Sequence, residues 1–273
     1  VPESQRGRFF GNLRLSWQTV TLIFTGAVAI FLGAQAPIWR FQIFLGIALL
    51  GLIIRIYFYR RVPEMEPSGQ ERVGILEPLN LIRSQSKFVS FCAYVFLLLL
   101  FSHATLWLFG LIEKEVLGMG DNRVIWMANL TLVGSLAGFF LAGRIVDRFG
   151  TRFVFLLAHL GFAAVMLCFV FRNASPAPLT ITLSILHLVL GLIMSGSNIA
   201  MTTEMLGLMP DKFKAISSSI CTTMMMIGSA LSSAISAGLL KLGVLQEQWT
   251  LAGLALSHYD AVLGAFGVMI LLL

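Results

Sequence analysis

Polar residues within long apolar segments are the first candidates for chemistry in this sequence. Five polar or small residues share one helix face in the segment 179–206, at about 100° per residue. They are His187, Gly191, Ser195, Asn198 and Thr202. Polar groups in such a segment face the protein interior or water. The stripe predicts either a solute path, with Asn198 as both hydrogen-bond donor and acceptor, or hydrogen bonds that join two helices.

A second apolar segment carries a histidine and a tryptophan four residues apart. His103 and Trp107 lie on one helix face, and His103 is the only titratable residue near the middle of residues 88–112. An imidazole titrates near neutral pH, so His103 could bind a solute or carry a proton. The alternative is a neutral histidine that hydrogen-bonds a neighbouring helix.

The remaining polar chemistry is sparse. We expect no Asp, Glu, Lys or Arg near the middle of any complete apolar segment. The cysteines, Cys92, Cys168 and Cys221, lie in three different segments at no spacing typical of a metal site. No stretch is typical of a nucleotide-binding loop or a nucleophilic triad, so we expect no cofactor, no metal and no enzymatic activity.

Composition predicts that these residues are positioned by membrane-spanning helices. Hydrophobic residues make up 58% of the 273 residues and charged residues only 12%, with a mean hydropathy of +0.88. Soluble domains have about 25% charged residues. Residues 88–112 form an uncharged segment that is long enough to cross a bilayer as a helix. The sequence therefore predicts an all-α, polytopic transmembrane helix bundle.

Eight apolar segments are expected, and the last one ends with the sequence. They cover residues 16–36, 38–59, 88–112, 124–142, 153–171, 179–206, 215–240 and a stretch from Tyr259 onwards. A polar linker, residues 60–87, follows the second segment and could hold a short interfacial helix over 74–87. The sequence begins in polar residues without a methionine and ends in an apolar run, so we expect a fragment of a longer protein.

Positive charge predicts the orientation of the bundle. Residues 1–15, 60–87, 143–152 and 206–215 would share one side and hold thirteen Lys and Arg, against five on the other side. Because cytoplasmic loops carry the excess of positive charge, the linker 60–87 and the loop 143–152 are expected in the cytoplasm. We expect a multi-pass protein of the cell membrane, a bacterial inner membrane, with no nucleic-acid partner.

A weak internal repeat relates the two ends of the sequence at an offset of 208. Val1-Pro-Glu-x-x-Arg-Gly before the first segment matches Met209-Pro-Asp-x-x-Lys-Ala before the seventh. The same offset relates Thr21 to Ser229 and Thr25 to Ser233. A duplicated helical unit of six segments would explain both matches.

A charged island of ten residues separates the fourth and fifth segments. Its spaced residues are Gly143, Asp147, Arg148, Gly150 and Arg152. This pattern resembles the signature loop of the major facilitator superfamily, which joins helices 2 and 3 and recurs in looser form between helices 8 and 9. The alternative is that these charges serve only to orient the segments in the membrane.

The resemblance implies a domain organisation and a gating role. The segments would be helices 5–12, about 8 of 12, with residues 1–59 ending the N-terminal half, 60–87 as the central linker and 88–273 as the C-terminal half. Asp147 would face the positive start of helix 5, near Phe9–Leu15, and the arginines would hold that carboxylate. Ion coupling through a buried carboxylate would then have to use helices 1 and 4. The glycine-proline signature of proton-driven drug antiporters is missing around Gly26 and Gly33.

The resemblance also implies a function. The expected protein is a monomeric secondary active or facilitative transporter, a symporter or uniporter. It would move a small solute, with H⁺ or Na⁺ as a possible coupling ion, by alternating access. A transport-inactive receptor or scaffold with the same fold is the first alternative, and an integral-membrane enzyme is the second.

Overall fold

Helices account for nearly all the regular structure in the computed structural model, which describes residues 6–33, 37–61, 82–210, 214–243, 245–251 and 253–273. The helices are α1 (Arg6–Leu32), α2 (Ile38–Tyr59), α3 (Ser86–Ser102), α4 (Thr105–Leu111), α5 (Asp121–Phe149), α6 (Thr151–Val170), α7 (Leu179–Leu208), α8 (Lys214–Lys241) and α9 (His258–Leu272). A π-helical turn, Ile112–Val116, continues α4, and a short 3₁₀ turn, Arg172–Ala174, follows α6. Strands β1 (Gln248–Leu251) and β2 (Leu254–Ser257) form an antiparallel hairpin.

Within the described ranges, seven helical segments are long and apolar enough to cross a membrane, and α9 is a shorter apolar helix. The expected all-α bundle is therefore confirmed. The first segment is displaced, because α1 already begins at Arg6 and its membrane-length stretch is Asn12–Leu32. The hairpin between α8 and α9 was not expected. Most of the linker 60–87, including its expected interfacial helix, lies outside the described residues.

The close packing of α5 against α7 forms the centre of the bundle. A Cβ on Gly134 would lie 2.0 Å from the Leu188 carbonyl oxygen, and one on Gly191 would lie 1.9 Å from the Thr131 carbonyl oxygen. A Cβ on Gly138 would meet the Leu192 backbone oxygen at 2.6 Å. Glycines four residues apart let two membrane helices approach to backbone contact. The sequence Gly134-x-x-x-Gly138 therefore determines how closely α5 and α7 lie.

Helix α1 packs along α5 in the antiparallel direction. Arg14 lies beside Phe139, and Thr25 donates a 2.7 Å hydrogen bond to Asn129 Oδ1, so the position on α5 falls as the position on α1 rises. Helix α2 has no buried residue. The other main contacts join α3 to α8, α6 to α7 and α6 to α9.

The third membrane segment is interrupted at His103. The helix is broken between α3 and α4, and the free N–H of Ala104 donates a 3.0 Å hydrogen bond to Ser232 Oγ of α8. Ser232 is fully buried. In a membrane, backbone groups released by a helix break need such a partner from a neighbouring helix. The break is therefore a supported feature of the fold.

Candidate solute cavity and gating segment

A cavity of about 370 Å³ lies between α1, α5 and α7. Four of its lining residues, Arg14, Trp17, Gln18 and Thr21, share one face of α1, because they are three or four positions apart. Phe139 of α5 and Asn198 of α7 also line it. Small-molecule sites have volumes of about 300–1,000 Å³ and combine apolar walls with a few polar groups. This cavity fits that description.

Arg14 connects α1 to α7 across the cavity. Its Nη2 donates a 2.8 Å hydrogen bond to Thr202 Oγ1, and the Thr202 hydroxyl donates to the carbonyl oxygen of Asn198 at 2.9 Å. The guanidinium carbon lies 5.9 Å from the centre of the Phe139 ring. Arg14 was expected outside the membrane, in residues 1–15 before the first segment. That expectation is wrong, since Arg14 lies within the membrane-length stretch Asn12–Leu32 of α1.

The predicted polar stripe of α7 divides between two environments. Asn198 lines the cavity, as the solute-path interpretation expects, and Thr202 accepts the hydrogen bond from Arg14 of the cavity wall. Ser195 is buried against α5, and its hydroxyl donates to the Gly191 and Leu192 carbonyl oxygens of its own helix, at 3.0 and 2.9 Å. The upper part of the stripe, from His187 to Ser195, therefore belongs to the contact between α5 and α7. A solute-binding role for Ser195, Asn198 and Thr202 stays a prediction.

Glu113 and His187 form a buried pair at the end of the third segment. His187 Nε2 lies 2.8 Å from Glu113 Oε1, and His187 Nδ1 lies 2.8 Å from Thr131 Oγ1. The side chains are 0% and 1% exposed. The π-helical turn directs Glu113 inward, whereas Lys114 and Glu115 beside it are exposed. The expected end of the third segment at residue 112 is therefore wrong, because helical structure continues to Val116 and buries the Glu113 carboxylate.

A buried ion pair lies on the other side of a stacked aromatic pair. Arg172 Nη1 contacts Asp260 Oδ1 at 2.5 Å, and Asp260 also accepts from the Ser257 backbone N–H at 2.9 Å. The Phe169 ring is 3.6 Å from Phe109 and 6.5 Å from His187, centre to centre, and 5.4 Å from the Arg172 guanidinium carbon. Arg172 is one of the five basic residues expected on the non-cytoplasmic side. It is 2% exposed and ties the turn after α6 to α9.

The predicted solute residues His103 and Trp107 lie away from the cavity. His103 is exposed at the helix break. Trp107 is partly buried, and its indole N–H has no hydrogen-bond partner among the described residues. The structure does not bring either side chain to Asn198, so their binding role stays a prediction.

The predicted gating segment, residues 143–152, contains a much shorter loop than the sequence suggested. Helix α5 continues through it to Phe149, and α6 begins at Thr151. Only Gly150 lies between the two helices, with φ +82°. A side chain is strained at this backbone angle, so glycine allows the tight turn. The expected ten-residue loop is therefore wrong, because a single-residue turn at Gly150 joins the two helices.

The gating residues occupy the last turns of α5 and the start of α6. Gly143 is buried, whereas Asp147, Arg148 and Arg152 are exposed. Arg14 of α1 lies beside Phe139 of α5. Asp147 follows Phe139 by eight residues, and Arg6 precedes Arg14 by eight residues. Because the two helices are antiparallel and rise 1.5 Å per residue, both intervals extend about 12 Å in the same direction. Asp147 therefore lies level with the start of α1, as the predicted gate requires. The gating role of these residues stays a prediction.

A bundle of membrane-length helices, three of which line a polar cavity, defines a multi-pass membrane protein. The family model described as Major Facilitator Superfamily matches residues 1–233 and 106–273. The chain belongs to the major facilitator superfamily and is a membrane transporter in that general sense. No curated protein matches the chain significantly.

Proposed function

We propose that the protein is a secondary active or facilitative transporter that moves a small solute by alternating access. The cavity between α1, α5 and α7 would be the solute site. The observation that supports this proposal most strongly is that helices from both expected halves line the cavity. The residues that line the cavity come from α1, in the expected N-terminal half, and from α5 and α7, in the expected C-terminal half. A site between two halves is exposed to either side when the halves rock against each other.

The polar contacts across this boundary suit a reversible interface. Arg14 with Thr202 and Thr25 with Asn129 are single hydrogen bonds, which contribute about 0.5–3 kcal/mol each. Separation of α1 from α7 near Arg14 would open the cavity towards the Gly150 end of the bundle. The close glycine contacts would meanwhile keep α5 and α7 together as one body. We assign the Gly150 end to the cytoplasm and the protein to the cell membrane, from the excess of Lys and Arg at that end.

Accessibility of the cavity from both membrane sides tests the proposal without a known solute. Asn198→Cys would be introduced into full-length protein whose native cysteines are replaced by alanine, then reconstituted in oriented proteoliposomes. We expect a membrane-impermeant thiol reagent to label Asn198→Cys from either side in separate experiments. Val133→Cys, on the exposed face of α5, is the control and should resist the reagent from both sides. Labelling of Asn198→Cys from one side only would refute alternating access and indicate a transport-inactive receptor or scaffold.

A further inference from the structure

We propose that the solute is a small organic anion whose carboxylate binds Arg14. This inference rests on the proposed function, because it assigns a substrate class to the same cavity. Its first support is charge. Arg14 is the one ionisable side chain among the six described residues that line the cavity.

The charge of Arg14 has no counter-charge in the part of the chain that the structure describes. Its hydrogen-bond partner there is the neutral hydroxyl of Thr202. Glu204 is the next acidic residue along α7, and it accepts a hydrogen bond from Thr151 instead. A guanidinium has five N–H donors in a planar fork that matches a carboxylate. One donor group is used by Thr202, so the fork can still offer others to a ligand in the cavity.

The position of Arg14 in a membrane-length segment indicates that its charge has a ligand. A charged side chain in a membrane segment costs free energy and normally pairs with an opposite charge or faces a water-filled cavity. Arg14 is the third residue of the membrane-length stretch Asn12–Leu32, close to the end of that stretch, and it lines the cavity. An anion bound there would offset the cost in a low-dielectric setting, where charge-assisted hydrogen bonds are strong. Arg172, by contrast, already has Asp260.

The other lining residues fit the body of an organic anion. Gln18, Thr21 and Asn198 supply neutral hydrogen-bonding groups. Trp17 and Phe139 supply aromatic surfaces, and Phe139 already lies beside the guanidinium. Aromatic rings bury the apolar part of a ligand while polar groups fix its orientation. The combination favours a carboxylate attached to an apolar or aromatic group over an inorganic ion.

A phospholipid headgroup offers the same oxyanion chemistry, so the experiment includes an arm for each source. The full-length protein is placed in nanodiscs of zwitterionic phosphatidylcholine and, separately, with anionic phosphatidylglycerol. Thermal stabilisation is measured with benzoate, phenylacetate and lactate and with their neutral amides, benzamide, phenylacetamide and lactamide. The variants are Arg14→Gln and Arg14→Lys. Arg123→Gln, an exposed arginine at the start of α5, is the control.

We expect at least one carboxylate to stabilise the protein saturably in phosphatidylcholine, while its amide does not. Arg14→Gln should weaken that binding roughly ten- to a hundredfold, the loss expected for a hydrogen bond to a charged group. Arg14→Lys should weaken it less, and Arg123→Gln should leave it unchanged. The comparison of acid with amide uses unaltered protein, so it holds even if Arg14→Gln fails to fold.

Several results would overturn the inference. They are equal stabilisation by acid and amide, unchanged binding in folded Arg14→Gln, and no effect of any carboxylate. Stabilisation by phosphatidylglycerol alone, lost in Arg14→Gln, would identify a lipid headgroup as the anion. Two-sided labelling of Asn198→Cys requires no ligand. The proposed function can therefore stand while the anion assignment fails, and the reverse outcome is equally visible.

Discussion

Arg14 Nη2 donates a 2.8 Å hydrogen bond to Thr202 Oγ1, between residues 188 positions apart in the sequence. This contact joins the first membrane helix to α7 at the wall of the candidate solute cavity. The same helix meets α5 through Thr25 and Asn129 at 2.7 Å. Together the two hydrogen bonds mark the boundary across which the proposed halves would move.

The glycine contact between α5 and α7 should be rigid and intolerant of a side chain. In Gly134→Ala the new Cβ meets the Leu188 backbone oxygen at 2.0 Å, and backbone cannot move aside cheaply. We expect a loss of about 1–3 kcal/mol, typical of overpacking, and a lower unfolding temperature in detergent. Gly46→Ala, whose Cβ would meet nothing within 4 Å, is the matched control and should be neutral. Equal stability of the two variants would contradict the close packing of α5 and α7.

The buried Glu113–His187 pair should contribute strongly to stability. Glu113→Ala leaves the fully buried His187 without its carboxylate partner, and a buried polar group left unpaired costs about 1–3 kcal/mol. Glu113→Gln keeps a hydrogen-bond acceptor for the imidazole and should cost less. Glu115→Ala is the control, since Glu115 is exposed two residues away and surface changes are usually within about 0.5 kcal/mol. Similar unfolding temperatures for Glu113→Ala and Glu115→Ala would show that Glu113 is not buried.

A double-mutant cycle should distinguish the buried pair Arg172–Asp260 from the exposed pair Lys114–Asp121. The first pair is 1% and 0% exposed, and the second is 54% and 29% exposed. We expect a clear coupling free energy of unfolding for Arg172→Met with Asp260→Leu, because each single variant leaves one charge buried. The exposed pair should give about 0–1 kcal/mol. A coupling as small as that of the exposed pair would contradict the link between α6 and α9.

The gate at the Gly150 end should depend on Asp147. Its position, level with the start of α1, would let its carboxylate interact with the positive end of that helix. Asp147→Asn should therefore favour opening at this end and raise the labelling rate of Asn198→Cys from that side. Arg123→Gln is the control, because Arg123 is an exposed arginine at the opposite end of α5. Arg172, in the other turn at that end, is unsuitable because it is buried in an ion pair. Identical labelling rates in the two variants would mean that the island residues serve only to orient the helices.

Sequence alone was sufficient for the bundle because membrane length and hydropathy leave little freedom in the choice of element. It also identified Asn198 and Thr202, since a helical period is readable in a long segment. Arg14 was missed because it follows two other arginines and looks like part of a basic lead-in. Only the position of α1 against α7 shows that its side chain reaches Thr202.

Glu113 illustrates a different limit of sequence reasoning. The run Glu113-Lys-Glu115 after an apolar segment is typical of a loop. A π-helical turn buries the first carboxylate and exposes the next two residues, and no periodic pattern predicts that change of face. The Gly134-x-x-x-Gly138 spacing, by contrast, was a readable signal for close helix packing. The helical structure at the start of the charged island was not expected. Helix α5 extends to Phe149 through residues whose types resemble those of a loop.

The most direct test of alternating access is a pair of distance measurements between α1 and α5 by double electron–electron resonance. Spin labels at Leu13 and Phe149 report the Gly150 end, and labels at Ile30 and Trp126 report the other end. All four side chains are exposed and would be replaced by cysteine in the cysteine-free full-length protein.

We predict two populations in each measurement, with opposite trends. In Asp147→Asn the Leu13–Phe149 distance should shift towards its longer value, while the Ile30–Trp126 distance shifts towards its shorter one. Single, unchanging distances at both ends, or distances that lengthen together, would contradict movement of α1 against α5 and with it the proposed transport mechanism.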